Sequence, residues 1–140
     1  MTLTKRDLFL RGMERVQAFL GCNPTVDPVH VVETKDPVQF GTCAYYRSNV
    51  IYIHVPSCAA PGYVSSAWSW PGYIVDRTPF GVLCHELGHH VDKAHGRWGG
   101  TMSHAWRAET QDEKITNYCP DTNEWFAEIF RLYVTNPDLL

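Results

Sequence analysis

A chain of 140 residues amounts to one domain, 1–140, long enough to bury a single core. Hydrophobic residues make up 44% and charged residues 19%, ordinary values for a globular protein, which argues against a disordered or fibrous chain. A formal charge of -3 with no cluster of Lys and Arg between aromatics argues against nucleic acid as a partner, and no apolar run reaches the roughly 18 residues of a membrane span.

The first stretch carries Arg11, Glu14 and Arg15 where an export signal would be apolar, so a cytoplasmic monomer is the default expectation. Thr4 followed by Asp7 marks a helix entry, and Leu8, Phe9, Met13, Val16, Phe19 and Leu20 recur at helical spacing until Gly21 and Pro24 end it. From Val29 to Val55 the signals turn to β, with short strands expected at His30 to Glu33, Thr42 to Arg47 and Asn49 to Val55. Pro56 to Thr78 has no sustained period and reads as a long ordered loop whose Tyr63, Trp68, Trp70 and Tyr73 cover the core or border a cleft.

Thr78 and Pro79 open a helix as N-cap and first residue, with Phe80, Leu83, Cys84, Leu87 and Val91 on its buried face and an end near His95. Glycines break the chain there, and Ser103 to Ile115 is a further helix candidate. A last helix starts near Asp121 or Thr122, carries Trp125, Phe126, Ile129, Phe130 and Tyr133 on its apolar side, and stops at Asn136 and Pro137. The five cysteines form no CxxC pair, and their odd number points to buried thiols rather than a disulfide framework. Cys84, about 100° around a helix from His85, is expected in the core and not on a metal.

The chemistry concentrates in HELGH, His85 to His89. Four residues of helix turn only about 40° beyond one full turn and rise about 6 Å, so both imidazoles share a face and can bind one zinc ion. Glu86 stands beside them as a general base for a metal-activated water. Zinc needs a third protein ligand. In NEWFAE, Glu124 and Glu128 lie one turn apart on one helical face, so Glu124 can ligate while Glu128 accepts the remaining N–H of a ligand histidine; the alternative is a pair of solvated acids. His95 is a rival third ligand at the spacing of the HExxHxxGxxH pattern, but Asp92 stands where that pattern turns on glycine. His104 is another rival, and His90 points off the metal face.

HELGH joined to NEWFAE resembles the gluzincin metallopeptidases, and more closely the catalytic-domain family of anthrax lethal factor and its small phage and bacterial relatives. The likeness covers two blocks, Thr78 to Asp92 and Ile115 to Pro137. It implies an α+β zincin-like fold: a small, mostly antiparallel sheet packed on the zinc-binding helix, with a C-terminal helix carrying the third ligand. It implies Glu124 as that ligand, Glu128 as its supporting acid, and Tyr118, six residues before Glu124, as the donor that stabilises the oxyanion of the tetrahedral intermediate; otherwise Tyr118 is an ordinary half-buried tyrosine. It further implies an upstream strand that pairs with an extended peptide, a role falling to Asn49 to Val55. The expected function is zinc-dependent hydrolysis of a peptide or protein substrate. The alternatives are a non-catalytic zinc-stabilised structural module and a protein-binding domain that uses the Trp-rich loop.

Overall fold

The computed structural model describes residues 3–23, 26–36, 43–58, 76–95, 123–136 and 138. The Trp-rich stretch 59–75 and the helix candidate at Ser103 to Ile115 lie outside them. The described elements run, in chain order, α1 (Lys5–Cys22), β1 (His30–Glu33), β2 (Ala44–Arg47), β3 (Val50–Ile53), a 3-10 turn (Val55–Ser57), α2 (Pro79–His95) and α3 (Asn123–Thr135). This is an α+β arrangement, with three helices and one small sheet among the described residues.

Helix α1 begins where its polar signals place it. The Thr4 hydroxyl accepts the Asp7 N–H at 3.1 Å and the Asp7 carboxylate accepts the Thr4 N–H at 2.9 Å, a reciprocal box that satisfies two orphan donors. Leu8, Phe9 and Val16 are buried, and Asn23 closes the far end by donating its amide to the Phe19 carbonyl at 2.7 Å.

The sheet has the order β1-β3-β2, and this corrects the expected mostly antiparallel sheet. β2 and β3 form an antiparallel hairpin, but β1 lies parallel to β3, so the sheet is mixed. β3 takes the centre because it is the most apolar strand: Ile51 and Ile53 are 0% exposed, whereas β2 leaves Tyr45 in solvent, as an edge strand can. The two-residue hairpin loop holds both Ser48 (φ 51°) and Asn49 (φ 65°) in the left-handed region, which matches the twist of the strands it joins. With β1 on one side and β2 on the other, β3 has no free edge, so the substrate-pairing role expected for Asn49 to Val55 does not fall to that strand.

The hairpin also accounts for a second correction. Cys43 and Cys58 are joined in a disulfide, where buried thiols were expected. Continuing the register beyond β2 sets Cys43 opposite His54, whose N–H donates to the Cys43 carbonyl at 2.7 Å. The 3-10 turn then brings Cys58 back over that pair, leaving the two Cα atoms 5.0 Å apart. A spacing of 15 residues without a CxxC pattern does not reveal this, since it depends on register and turn together. Of the other described cysteines, Cys22 is an exposed thiol and Cys84 a buried one.

Helix α2 is the hub. It packs against α1, against β2 and β3, and against α3. Leu83, Leu87 and Val91 join Phe9, Val16, Ala44, Ile51 and Ile53 in the main core, and Cys84 sits with Leu8 and Phe80 in a smaller cluster, as its helical phase predicts. Helix α3 departs from expectation at Tyr133, which is 68% exposed and not part of the packed side. Its buried face includes Ala127, Glu128, Arg131 and Leu132, so the acidic row, and not its opposite, helps to meet α2. Among the described residues, no helix is long and apolar enough to cross a membrane.

Candidate metal centre

A helix enclosed on several sides must satisfy every polar group it buries. On α2 those groups are His85, Glu86, His90 and Asp92. The contact of α2 with α3 supplies partners for the first. At the crossing point the backbones nearly touch: a Cβ added to Gly88 would lie 2.8 Å from the Ala127 Cα and 3.2 Å from its carbonyl oxygen. Only glycine permits that approach. It brings Glu124, one turn before Ala127, within reach of both motif histidines.

Glu124 Oε2 lies 2.9 Å from His85 Nε2 and 3.1 Å from His89 Nε2. The two imidazole rings stand edge to face, with centroids 4.9 Å apart. Ligand atoms of His85, His89 and Glu124 all lie within 4.8 Å of one another, a group that could hold a metal ion. The other ring nitrogen of His85, Nδ1, donates to Glu128 Oε2 at 2.7 Å, and Glu128 is 0% exposed. A proton held at Nδ1 leaves Nε2 as the atom that could ligate an ion. The alternative of two solvated acids is therefore set aside for Glu128, which is wholly buried.

Electrostatics follow the geometry. Burial alone would lower the His85 pKa, but hydrogen bonds to Glu124 and Glu128, with the nearby charge of Glu86, outweigh it and push the group up to about 10. Burial would raise Glu124, yet its bonds to His85 and His89 hold the carboxyl well below the usual carboxylate range. Burial pushes Glu86 up, and the neighbouring His85 and His89 only partly offset it. Without an ion, the centre is thus a tight cluster of carboxylates around an imidazolium.

The remaining candidates separate cleanly. His90 Nε2 donates to the Asp27 carbonyl at 2.6 Å and its Nδ1 meets the Tyr46 hydroxyl at 2.8 Å, so this ring ties the sheet to α2 and takes no part in the metal group. Helix α2 continues without a turn through Asp92 to His95, so the backbone bend that would deliver His95 as a third ligand does not occur. Cys84 is buried away from the group, its thiol pushed up to about 12, chiefly by burial. Tyr118 and His104 lie outside the described residues.

Sequence reasoning missed Arg131, buried beside Glu128 and donating to it at 3.2 Å. Its signal was present: Glu124, Glu128 and Arg131 stand at i, i+4 and i+7, one continuous face of a helix. Comparisons of the chain with protein-family models, with curated proteins and with solved structures found no match.

Proposed function

We propose that the chain is a zinc-dependent endopeptidase of the gluzincin type, with a zincin-like arrangement of α2, α3 and the sheet. One observation carries the reading: His85 and His89 turn their Nε2 atoms to a single oxygen of Glu124, while Glu128 takes the remaining nitrogen of His85. Two imidazoles and one carboxylate suit zinc and are poor in the oxygen donors that calcium and magnesium require. The 2.9 and 3.1 Å contacts bring the three donor groups to one point, where His85, His89 and Glu124 would hold a shared ion.

When bound, zinc supplies a Lewis acid that polarises the scissile carbonyl and acidifies water. His85, His89 and Glu124 would hold it. Glu86 takes the proton of the attacking water and returns it to the leaving amine. Its burial favours this, since a carboxylate raised toward neutrality is a stronger base than a solvated one. Tyr118 is the oxyanion donor through the family resemblance.

The peptide would extend β2. In a two-residue hairpin Arg47 and Val50 form a hydrogen-bonded pair, and alternation from there turns the main-chain groups of Ala44 and Tyr46 away from β3. That edge adjoins α2, where Tyr46 meets His90, next in sequence to His89. An extended chain can add to such an edge.

The test is metal content by mass spectrometry on the wild type and Glu124→Ala, followed by cleavage of a peptide library by the wild type and Glu86→Gln. The reading expects near-stoichiometric zinc lost with Glu124, and cleavage lost with Glu86 while zinc stays. Zinc without cleavage in the wild type would support a structural staple instead.

A further inference from the structure

Arg131 is a charge at 5% exposure that peptide hydrolysis does not use. A guanidinium so buried is costly unless its donors are satisfied. They are engaged in two directions. Nη1 donates to Glu128 Oε2 at 3.2 Å, while Nε, at 2.8 Å, and Nη2 both donate to the main-chain carbonyl of Asp76.

That carbonyl is fixed to the start of the metal helix. The Asp76 carboxylate accepts the Thr78 N–H at 2.8 Å and the Thr78 hydroxyl, and the Thr78 carbonyl accepts the Val82 N–H of the first turn at 2.9 Å. The Asp76 oxygen also rests against bare backbone, since a Cβ on Gly81 would fall 1.9 Å from it. The clamp therefore runs from the N-terminus of α2, through Arg131 on α3, to Glu128 Oε2, and back to α2 at His85.

We propose that Arg131 is a positioning residue for the metal centre. A glutamate has three rotatable bonds, and each hydrogen bond to its carboxylate narrows the directions it can take. With Arg131 and His85 both donating to Oε2, that oxygen is held from two sides. The planar fork of arginine fixes direction as well as distance, which an ammonium cannot do. Fixing Oε2 fixes the plane of the His85 ring, and so the direction in which Nε2 faces Glu124 and His89. The inference rests on the proposed zinc site and adds to it a residue outside the ligand set.

The experiment compares the wild type, Arg131→Lys and Arg131→Met by chelator competition for zinc and by the visible absorption of the cobalt(II)-loaded protein, with circular dichroism on the metal-free forms. Arg131→Lys keeps the charge and loses the fork; Arg131→Met keeps the bulk and loses both. Both are expected to weaken zinc binding by roughly 10- to 100-fold and to change the intensity of the cobalt bands, while the metal-free variants keep the wild-type helical signal. Wild-type zinc affinity and an unchanged cobalt spectrum in Arg131→Lys would overturn the proposal. Should either Arg131 variant fail to fold, Glu128→Gln takes its place, since it keeps the shape but offers Arg131 and His85 only an amide oxygen to share; wild-type affinity there overturns the proposal as well. A wild type that binds neither zinc nor cobalt overturns the site reading itself, whereas strong wild-type binding with unaffected variants removes Arg131 alone.

Discussion

Replacing Gly88 by alanine tests whether the helix contact sets the centre. The new Cβ would meet the Ala127 Cα at 2.8 Å and the Phe130 Cβ at 3.0 Å, where ordinary contact begins near 3.4 Å. The helices must part by at least the difference, 3.4 less 2.8, or about 0.6 Å, because the obstacles are backbone and a Cβ rather than a flexible tip. A rigid shift of that size would stretch the bond from His85 to Glu128 from 2.7 Å to about 3.3 Å and move Glu124 by three times the ±0.2 Å tolerance of a metal bond. Stability changes less, because alanine gains about 1 kcal/mol of helix propensity against an overpacking cost of about 1–3 kcal/mol. The assay is zinc affinity by chelator competition beside urea unfolding of the metal-free protein. A loss of about 10- to 100-fold in affinity, with at most about 2 kcal/mol lost in stability, is expected. Gly21→Ala, with nothing within 4 Å of its added Cβ, is the control and should match the wild type in zinc affinity. Unchanged affinity in Gly88→Ala would refute the idea that backbone proximity positions the ligands.

Four further outcomes can be measured. Glu86→Gln should retain zinc and lose at least about a hundredfold in turnover, and a variant cleaving at the wild-type rate would remove Glu86 from the chemistry. Zinc uptake near pH 7 should release about one proton, measured by calorimetry in buffers of different ionisation enthalpy, since His85, raised to about 10 in the metal-free protein, must deprotonate to bind. By the same shift, the metal-free protein gains stability that is fully present below pH 6.5, the ordinary His value, and is lost as pH rises through about 10; a stability flat across that window would contradict the assignment. Reducing the disulfide between Cys43 and Cys58, which closes a loop of 15 residues, should lower unfolding free energy by about 3 kcal/mol, and identical denaturation midpoints with and without reductant would count against the crosslink.

What was legible in the sequence is what depends on neighbours along the chain. The box of Thr4 and Asp7, the start at Pro79 and the four-residue spacings of His85 to His89 and Glu124 to Glu128 act over one helical turn, so helix ends and ligand faces could be read directly. Strand positions were legible for the same reason, but alternation tells which face a residue occupies and not which strand lies beside it. The parallel pairing of β1 with β3 was therefore hidden, and with it the central place of β3 in the sheet. The disulfide was hidden because it joins ends that only the hairpin brings together. Tyr133, expected on the apolar side with Phe126 and Phe130, is instead 68% exposed.

The charges at the helix contact include a group that could hold a cation. Apolar residues of similar size would pack α2 on α3 at no desolvation cost, so the burial of His85, Glu86, Glu128 and Arg131 is not explained by stability. In the metal-free protein, burial pushes the Glu86 carboxyl up, and His85 and His89 only partly offset it. A divalent ion that displaces the His85 proton adds one net positive charge at the same place. A positive charge beside Glu86 favours its ionised form, which is the form a general base needs. The same cation that would bind the ligands would thus oppose the effect of burial on the neighbouring carboxyl.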